Sequence, residues 1–423
     1  MPEQVSLSSV RAVAALALGL AAVACGPAAE SPIKRQARAN VDEGWQKGEP
    51  RLKLLTLSLL VDHERLAEAH AIVEEAVTSP STAMRLDALG VLSEWEDPAT
   101  VDVLRPLIED SSDIVRLSAA RLLARLGVPD GKPLLVEALR DRDGLLSVDT
   151  CAALAVIGSE ECAEQAAEDL SARDADRVRA AAEALAATGG DRARDALRGA
   201  LKKLRGEKRA SVIEALGRIG TAEDVARVVP FARYTVYVLA VIRALGDVGG
   251  DEAIRELQKY LSTNDPLAAL EAAGALLKAR GPSEDVLSVL DASIASDRKE
   301  LRFLSARLLS SAPPRPETEV LLARLVGDAD AQVRREALNG LTRGVSESSF
   351  PAVQAAWQAT RSAHEGLAYE AAQRALVVAA RIPGSAADDL LEEAMGSDNW
   401  AHVLQASLGL LGRGSSGTAD IGG

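Results

Sequence analysis

The sequence predicts an all-α protein, a right-handed α-solenoid of about twelve two-helix repeats. Three observations carry that expectation. A motif recurs along the 423 residues with gaps of 29 to 34, the mark of a stacked repeat array. Apolar residues recur at helical spacing and nowhere alternate with period two. The hydrophobic share is 48% while aromatics reach only 3%. The core is therefore built from Ala, Leu and Val, which suit closely packed helices.

The first element is a leader. Arg11 precedes a small apolar run from Ala12 to Ala24, followed by Cys25 and Gly26. A bilayer-spanning helix needs roughly 20 residues, so this run is too short. An apolar stretch after a positive residue, ending in small residues, is the pattern of a cleaved secretory signal. Ala22-Val23-Ala24-Cys25 resembles the lipobox of bacterial lipoproteins, and the resemblance implies that Cys25 is lipidated and becomes the mature N-terminus. Alternatively, Ala22-Val23-Ala24 is an ordinary cleavage site and Cys25 is incidental. Both readings divide the chain into a signal peptide (1–24), a linker (25–43), a solenoid (44–413) and a short tail (414–423). Lys34, Arg35 and Arg38 read as solvated linker.

Within the array, Val115-Arg116-Leu117-Ser118-Ala119-Ala120 is the template, and Val178-Arg179-Ala180-Ala181 and Val333-Arg334 repeat its opening. The position of Arg116 recurs as Lys53, Arg85, Ser147, Arg179, Arg209, Val238, Leu270, Arg302, Arg334, Ala368 and Ala401. Each unit reads as two helices. The second carries apolar residues at i, i+4, i+7 and i+11, as in Val115, Ala119, Leu122 and Leu126. Gly127, Gly158, Gly190, Gly220, Gly249 and Gly281 suit left-handed helix ends. Pro98, Pro282, Pro316 and Pro351 suit first turns, and Asp97 and Asp113 are the expected N-caps.

Asp113-x-Val115-Arg116-x-x-Ala119-Ala120, with its Leu-rich turn and Gly127, resembles the short HEAT repeat in the form found in phycobilin lyases. The resemblance covers roughly residues 44 to 413. It implies an Asp–Arg ladder along the stack, with Arg116, Arg179, Arg209, Arg302 and Arg334 as ladder residues and interruptions at Val238, Leu270, Ala368 and Ala401.

Charge and site chemistry narrow the function. With 48 basic and 62 acidic residues the net charge is −14, which argues against nucleic acid as a partner. Cys151 and Cys162 lie eleven apart with no histidine beside them, unlike a zinc site. Cys151 falls on an apolar helix face, so a buried free thiol is the expectation, with a disulfide open in an oxidising compartment. Only four histidines exist: His63, His70, His364 and His402. Deoxyhypusine hydroxylase is similar as an array and holds iron through several His-Glu dyads. This chain has only His63-Glu64 and His364-Glu365, so no metal is expected. No phosphate loop or nucleophile motif is present, and no catalytic residue or cofactor is assigned.

Phe231, Tyr234 and Tyr237 cluster within seven residues. Tyr237 takes the apolar position of Val115, whereas Tyr234 is placed to be exposed, so Arg233 and Tyr234 are the candidate partner contacts. Trp357 and Trp400 are expected to close the C-terminal units. The resulting expectation is a non-enzymatic scaffold binding other proteins through a concave face of second helices. It would be held by lipid on Cys25 at the outer membrane, since Gly26 and not Asp follows the cysteine, or be soluble in the periplasm. A periplasmic repeat-type lyase or other cofactor-binding enzyme is the alternative.

Overall fold

A computed structural model describes residues 31–46, 73–95, 98–140 and 144–412. Cys25, His63 and His70 lie outside the described residues, as do Lys53 and Asp97. The chain is an all-α solenoid. Helix α1 spans Pro32–Gln46, and a helix ending at residue 77 precedes α2, Thr82–Trp95. Then come α3 (Val101–Leu104), α4 (Asp113–Arg125), α5 (Lys132–Glu137) and α6 (Val148–Val156). The middle holds α7 (Glu161–Asp169), α8 (Ala175–Thr188), α9 (Gly190–Lys203), α10 (Glu207–Ile219), α11 (Ala222–Val228) and α12 (Val238–Val248). Next are α13 (Gly250–Gln258), α14 (Pro266–Arg280), α15 (Glu284–Ile294), α16 (Lys299–Ser311), α17 (Pro316–Val326) and α18 (Ala331–Leu341). The array finishes with α19 (Phe350–Thr360), α20 (Gly366–Arg381), α21 (Ser385–Met395) and α22 (Trp400–Gly412). Among the described residues the only β pairing is the isolated bridge Arg140–Leu146.

The even-numbered helices α2 to α22 are the second helices of the units, and each stacks on its predecessor. Small residues allow the close approach: a Cβ on Gly217 of α10 would overlap the Ala244 Cα of α12. Helix ends follow the expected chemistry in part. After α4, Gly127 has φ 77°, its amide bonds Ala124 O at 2.9 Å and the Val128 amide bonds Leu123 O at 2.9 Å, a Schellman closure. Gly220 differs, leaving α10 in an extended conformation at φ −69°. The N-cap of α4 is Ser112, with Asp113 in the first turn. Pro316 and Pro351 open their helices, while Pro282 lies before the Ser283 cap.

Three further differences matter. Cys151 and Cys162 form a disulfide, Cα–Cα 5.4 Å, in place of the buried free thiol expected at Cys151. It ties α6 to α7, the first helix of the following unit. Residues 32–43, read as linker, are helical as part of α1, and α1 lies against α22. Val41 shares one apolar cluster with Leu404 and Leu408 of α22 and with Val77, Leu89 and Leu123 of the first units. Asn40 Nδ2 donates to Ser407 Oγ at 3.2 Å. The two ends of the stack therefore meet. The last apolar face is covered by α1, while Trp357 is buried against His402 (ring centroids 5.1 Å) and Trp400 packs at the join.

The arginine ladder is real but partial. Arg85 pairs with Asp110 at 2.8 Å, and Arg116 bonds the carbonyl of that same Asp110 at 2.8 Å. The arrangement recurs at Arg302, which grips both Asp328 oxygens at 2.7 and 3.1 Å while Arg334 takes the Asp328 carbonyl at 2.8 Å. Arg179 instead bonds Asp176 in its own helix at 2.8 Å. Arg209 lies over the Phe231 ring at 4.7 Å. The resemblance placed both in the ladder, and neither has an acid 25 or 26 residues on, where Asp110 and Asp328 stand for Arg85 and Arg302.

Candidate functional site

Two surfaces stand out, and the first is a groove. Second helices α2, α4 and α6 enclose about 690 Å³ lined by Leu86, Leu89, Leu122 and Val156, among others. The groove exists because the facing positions are small: Gly90, Ser93, Ser118 and Ala152 leave room between the larger side chains. Val156 is 56% exposed, so apolar surface remains open there. Arg121 stands at the same groove, held by Thr150 Oγ1 at 2.8 Å and Ser147 Oγ at 3.0 Å, with Asp149 beside it. The small residues on one side of each second helix were the signal for this groove in the sequence.

The second surface is the edge formed by turns between first and second helices. Phe231 and Tyr237 stand in the two short 3₁₀ segments linking α11 to α12, with Tyr234 at the bend between them. Tyr237 is buried, and its hydroxyl accepts from the Gly206 amide at 2.9 Å. Tyr234 is 45% exposed with the Arg233 guanidinium 4.8 Å from its ring centre. Arg233 and Tyr234 thus occupy the edge and not the second-helix groove, so they cannot line the same face as Leu89 and Val156.

The histidines are dispersed. His364 and Glu365 are exposed in the turn before α20, while His402 is fully buried in α22, with Nδ1 3.4 Å from Ser397 Oγ and the Tyr369 ring centroid 5.8 Å away. Burial lowers the His402 pKa, and His364 adds to the effect. Among the described residues no group of three or more His, Cys, Asp or Glu is placed to hold a metal ion. Among them, too, no helix is long and apolar enough to cross a membrane.

The middle of the stack presents ion pairs on the second helices, where Arg243 bridges Glu214 at 3.0 Å and Glu271 at 2.6 Å. Its pKa is raised: burial acts to lower it, and the hydrogen bond that Arg243 donates to Glu271 outweighs that. This charge-paired region contrasts with the apolar groove nearer the N-terminus.

The class defined by this architecture is a HEAT-type α-solenoid. The chain matches the model of HEAT repeats over residues 69–155 and of the PBS lyase HEAT-like repeat over residues 178–203. Solved structures with a similar fold include an engineered protein, at 22% identity, covering 80% of this chain and 97% of that one with a TM-score of 0.33. Human deoxyhypusine hydroxylase in complex with glycerol is similar at 20% identity, covering 67% and 96%, TM-score 0.31. The CpcE–CpcF complex of phycocyanin lyase from a Nostoc species is similar at 19% identity, covering 67% and 91%, TM-score 0.28. No curated protein sequence matches the chain.

Proposed function

We propose that this protein is an exported, lipid-anchored scaffold that holds another protein at a bacterial membrane surface, and that it binds without catalysing. The observation that carries the binding role is the groove on α2, α4 and α6. A groove between stacked second helices, with Leu89, Leu122 and Val156 on its walls, fits the apolar face of a partner's amphipathic helix. The Arg121 guanidinium, positioned by two hydroxyls, favours an acidic residue at the edge of that helix.

Two observations support export. Cys25 stands directly after the Ala22-Val23-Ala24 leader end. The disulfide between Cys151 and Cys162 belongs to the chemistry of oxidising compartments. Stable attachment would need the several acyl chains of a lipoprotein, because one chain holds only marginally.

The test is fractionation and capture from membranes. Wild type should partition with membranes and Cys25→Ser should be released. Crosslinking of the wild type should capture a protein partner, and a folded Val156→Asp, Ser93→Arg variant should lose it. A soluble wild type would sink the anchor. Purified protein carrying bound metal or colour, lost in His364→Ala, would overturn the scaffold in favour of a cofactor enzyme.

A further inference from the structure

The edge around Tyr234 carries chemistry that the scaffold reading leaves unused. Three consecutive turns are locked together there. Lys208 Nζ donates to the Ala172 carbonyl at 3.1 Å and also to the Arg173 carbonyl, tying the turn before α8 to the start of α10. The Gly206 amide bonds the Tyr237 hydroxyl, and Arg209 lies over both Phe231 (4.7 Å) and Tyr237 (5.6 Å), tying α10 to the next turn. Tyr234 meets Tyr237 edge-on with centroids 6.1 Å apart. The surface is therefore preformed and not a collection of independent side chains.

Its charge runs against that of the molecule. The stretch Lys202 to Arg209 holds five bases against one acid in a chain of net charge −14. Arg173, Lys202, Lys203, Arg205 and Arg233 are all exposed. None of them forms an ion pair among the described residues, although arginines elsewhere in the stack are largely spent on carboxylates, as at Arg198, Arg243 and Arg302. Free cations gathered on one edge are available for an external anion.

The shape decides which anion. Residues 233–236 are four exposed residues in succession, with Val236 62% and Tyr234 45% exposed. An apolar side chain and a tyrosine at the tip of a turn, flanked by unpaired Lys and Arg, is the arrangement that seats in a headgroup layer. The ring takes the interface, the apolar tip enters the acyl boundary and the cations meet phosphates. A peptide would require a trough to lie in, and the trough of this molecule is on α2, α4 and α6.

We infer that the Arg205–Val236 edge is a docking surface for an anionic lipid membrane, which orients the solenoid on the bilayer independently of the anchor. The inference deepens the membrane-surface role proposed above. Its test is arranged so that the two can fail separately. Full-length Cys25→Ser protein, which cannot carry lipid, is sedimented with vesicles of phosphatidylcholine containing about 30% phosphatidylglycerol, and with phosphatidylcholine alone.

Binding to the anionic vesicles only, abolished near about 0.5 M NaCl, is the expected result. Lys202→Glu, Lys203→Glu, Arg205→Glu should weaken it by at least about a hundredfold. Val236→Asp, at a position 62% exposed, should weaken it while leaving the helical spectrum unchanged. Folded protein that ignores anionic vesicles overturns the inference, as does a triple variant that binds them as wild type does. Binding to a soluble acidic polypeptide without binding to vesicles would instead assign the edge to a protein partner. Release of the Cys25→Ser chain from cell membranes is scored in about 0.5 M NaCl, which removes edge binding and so reports on the anchor alone.

Discussion

At the residue scale, the ladder separates arginines that hold the stack from arginines that merely share their position. What decides is the residue 25 or 26 places ahead. Arg85 finds Asp110 and Arg302 finds Asp328, whereas Arg179 finds Leu204 or Arg205 and Arg209 finds Tyr234 or Thr235. A consensus position was legible in the sequence, but its role depends on a partner in the next unit that the consensus does not contain. Asp328 is nearly buried. Burial acts to raise its pKa from the ordinary 3.8, and the hydrogen bonds from Arg302 and the Asp330 amide outweigh it and hold it lower.

Arg302→Ala should therefore cost about 3 kcal/mol, the penalty of stranding a buried charge. Arg179→Ala, which removes an exposed pair within one helix, should cost less than about 0.5 kcal/mol. The pH dependence follows from the sign of the shift. The folded Asp328 pKa is below its unfolded value, so the stabilisation is present above pH 3.8 and is lost as pH falls through the lower folded value. Urea titrations at pH 7 and at about pH 3 should show the difference between wild type and Arg302→Ala shrinking in acid.

At the element scale, the second helices were readable because Ala and Leu repeat at helical spacing, and eleven of the twelve motif positions fall at the start of a described second helix or immediately before it. The disulfide was not readable. It requires the end of one unit and the start of the next to bring two Cα atoms to 5.4 Å, and periodicity within a helix says nothing about that distance. The free thiol expected at Cys151 rests on the apolar face of one helix only. Closing a loop of eleven residues limits the unfolded chain and contributes about 2.5–3 kcal/mol. Reduction with a thiol should lower the midpoint of thermal unfolding, and Cys151→Ala should be unfolded more easily by denaturant while gaining no further sensitivity to reductant. A midpoint that reduction leaves unchanged would mean the bridge is absent from the folded protein.

At the scale of the whole molecule, the meeting of α1 with α22 changes what the array is. An open stack needs polar caps at both ends, and the tryptophans near the C-terminus suggested one. Here the apolar faces of the two ends cover each other through Val41, Leu404 and Leu408, a contact across 367 residues at Asn40 and Ser407. No local pattern announces such a contact, because most of α1 reads in the sequence as a charged, solvated linker. Val41→Asp places a charge in that buried junction. It should free residues 32–46 for proteolysis and lower stability by more than about 2 kcal/mol, while the central units keep their helicity. Limited proteolysis with a circular dichroism spectrum checks both halves of that outcome.

The groove on α2, α4 and α6 lies in the first units, whose Leu89 and Leu123 share an apolar cluster with Val41 of α1 and with Leu404 and Leu408 of α22. The central claim is that this groove grips a protein at the membrane. Its most direct test is quantitative crosslinking in membranes, comparing wild type with Val156→Asp, Ser93→Arg at equal expression and equal melting temperature. The account predicts one or a few specific protein adducts on the wild type and their loss, by about tenfold or more, on the variant. Identical adducts on both chains, or none on either while the protein is folded and membrane-bound, would contradict it.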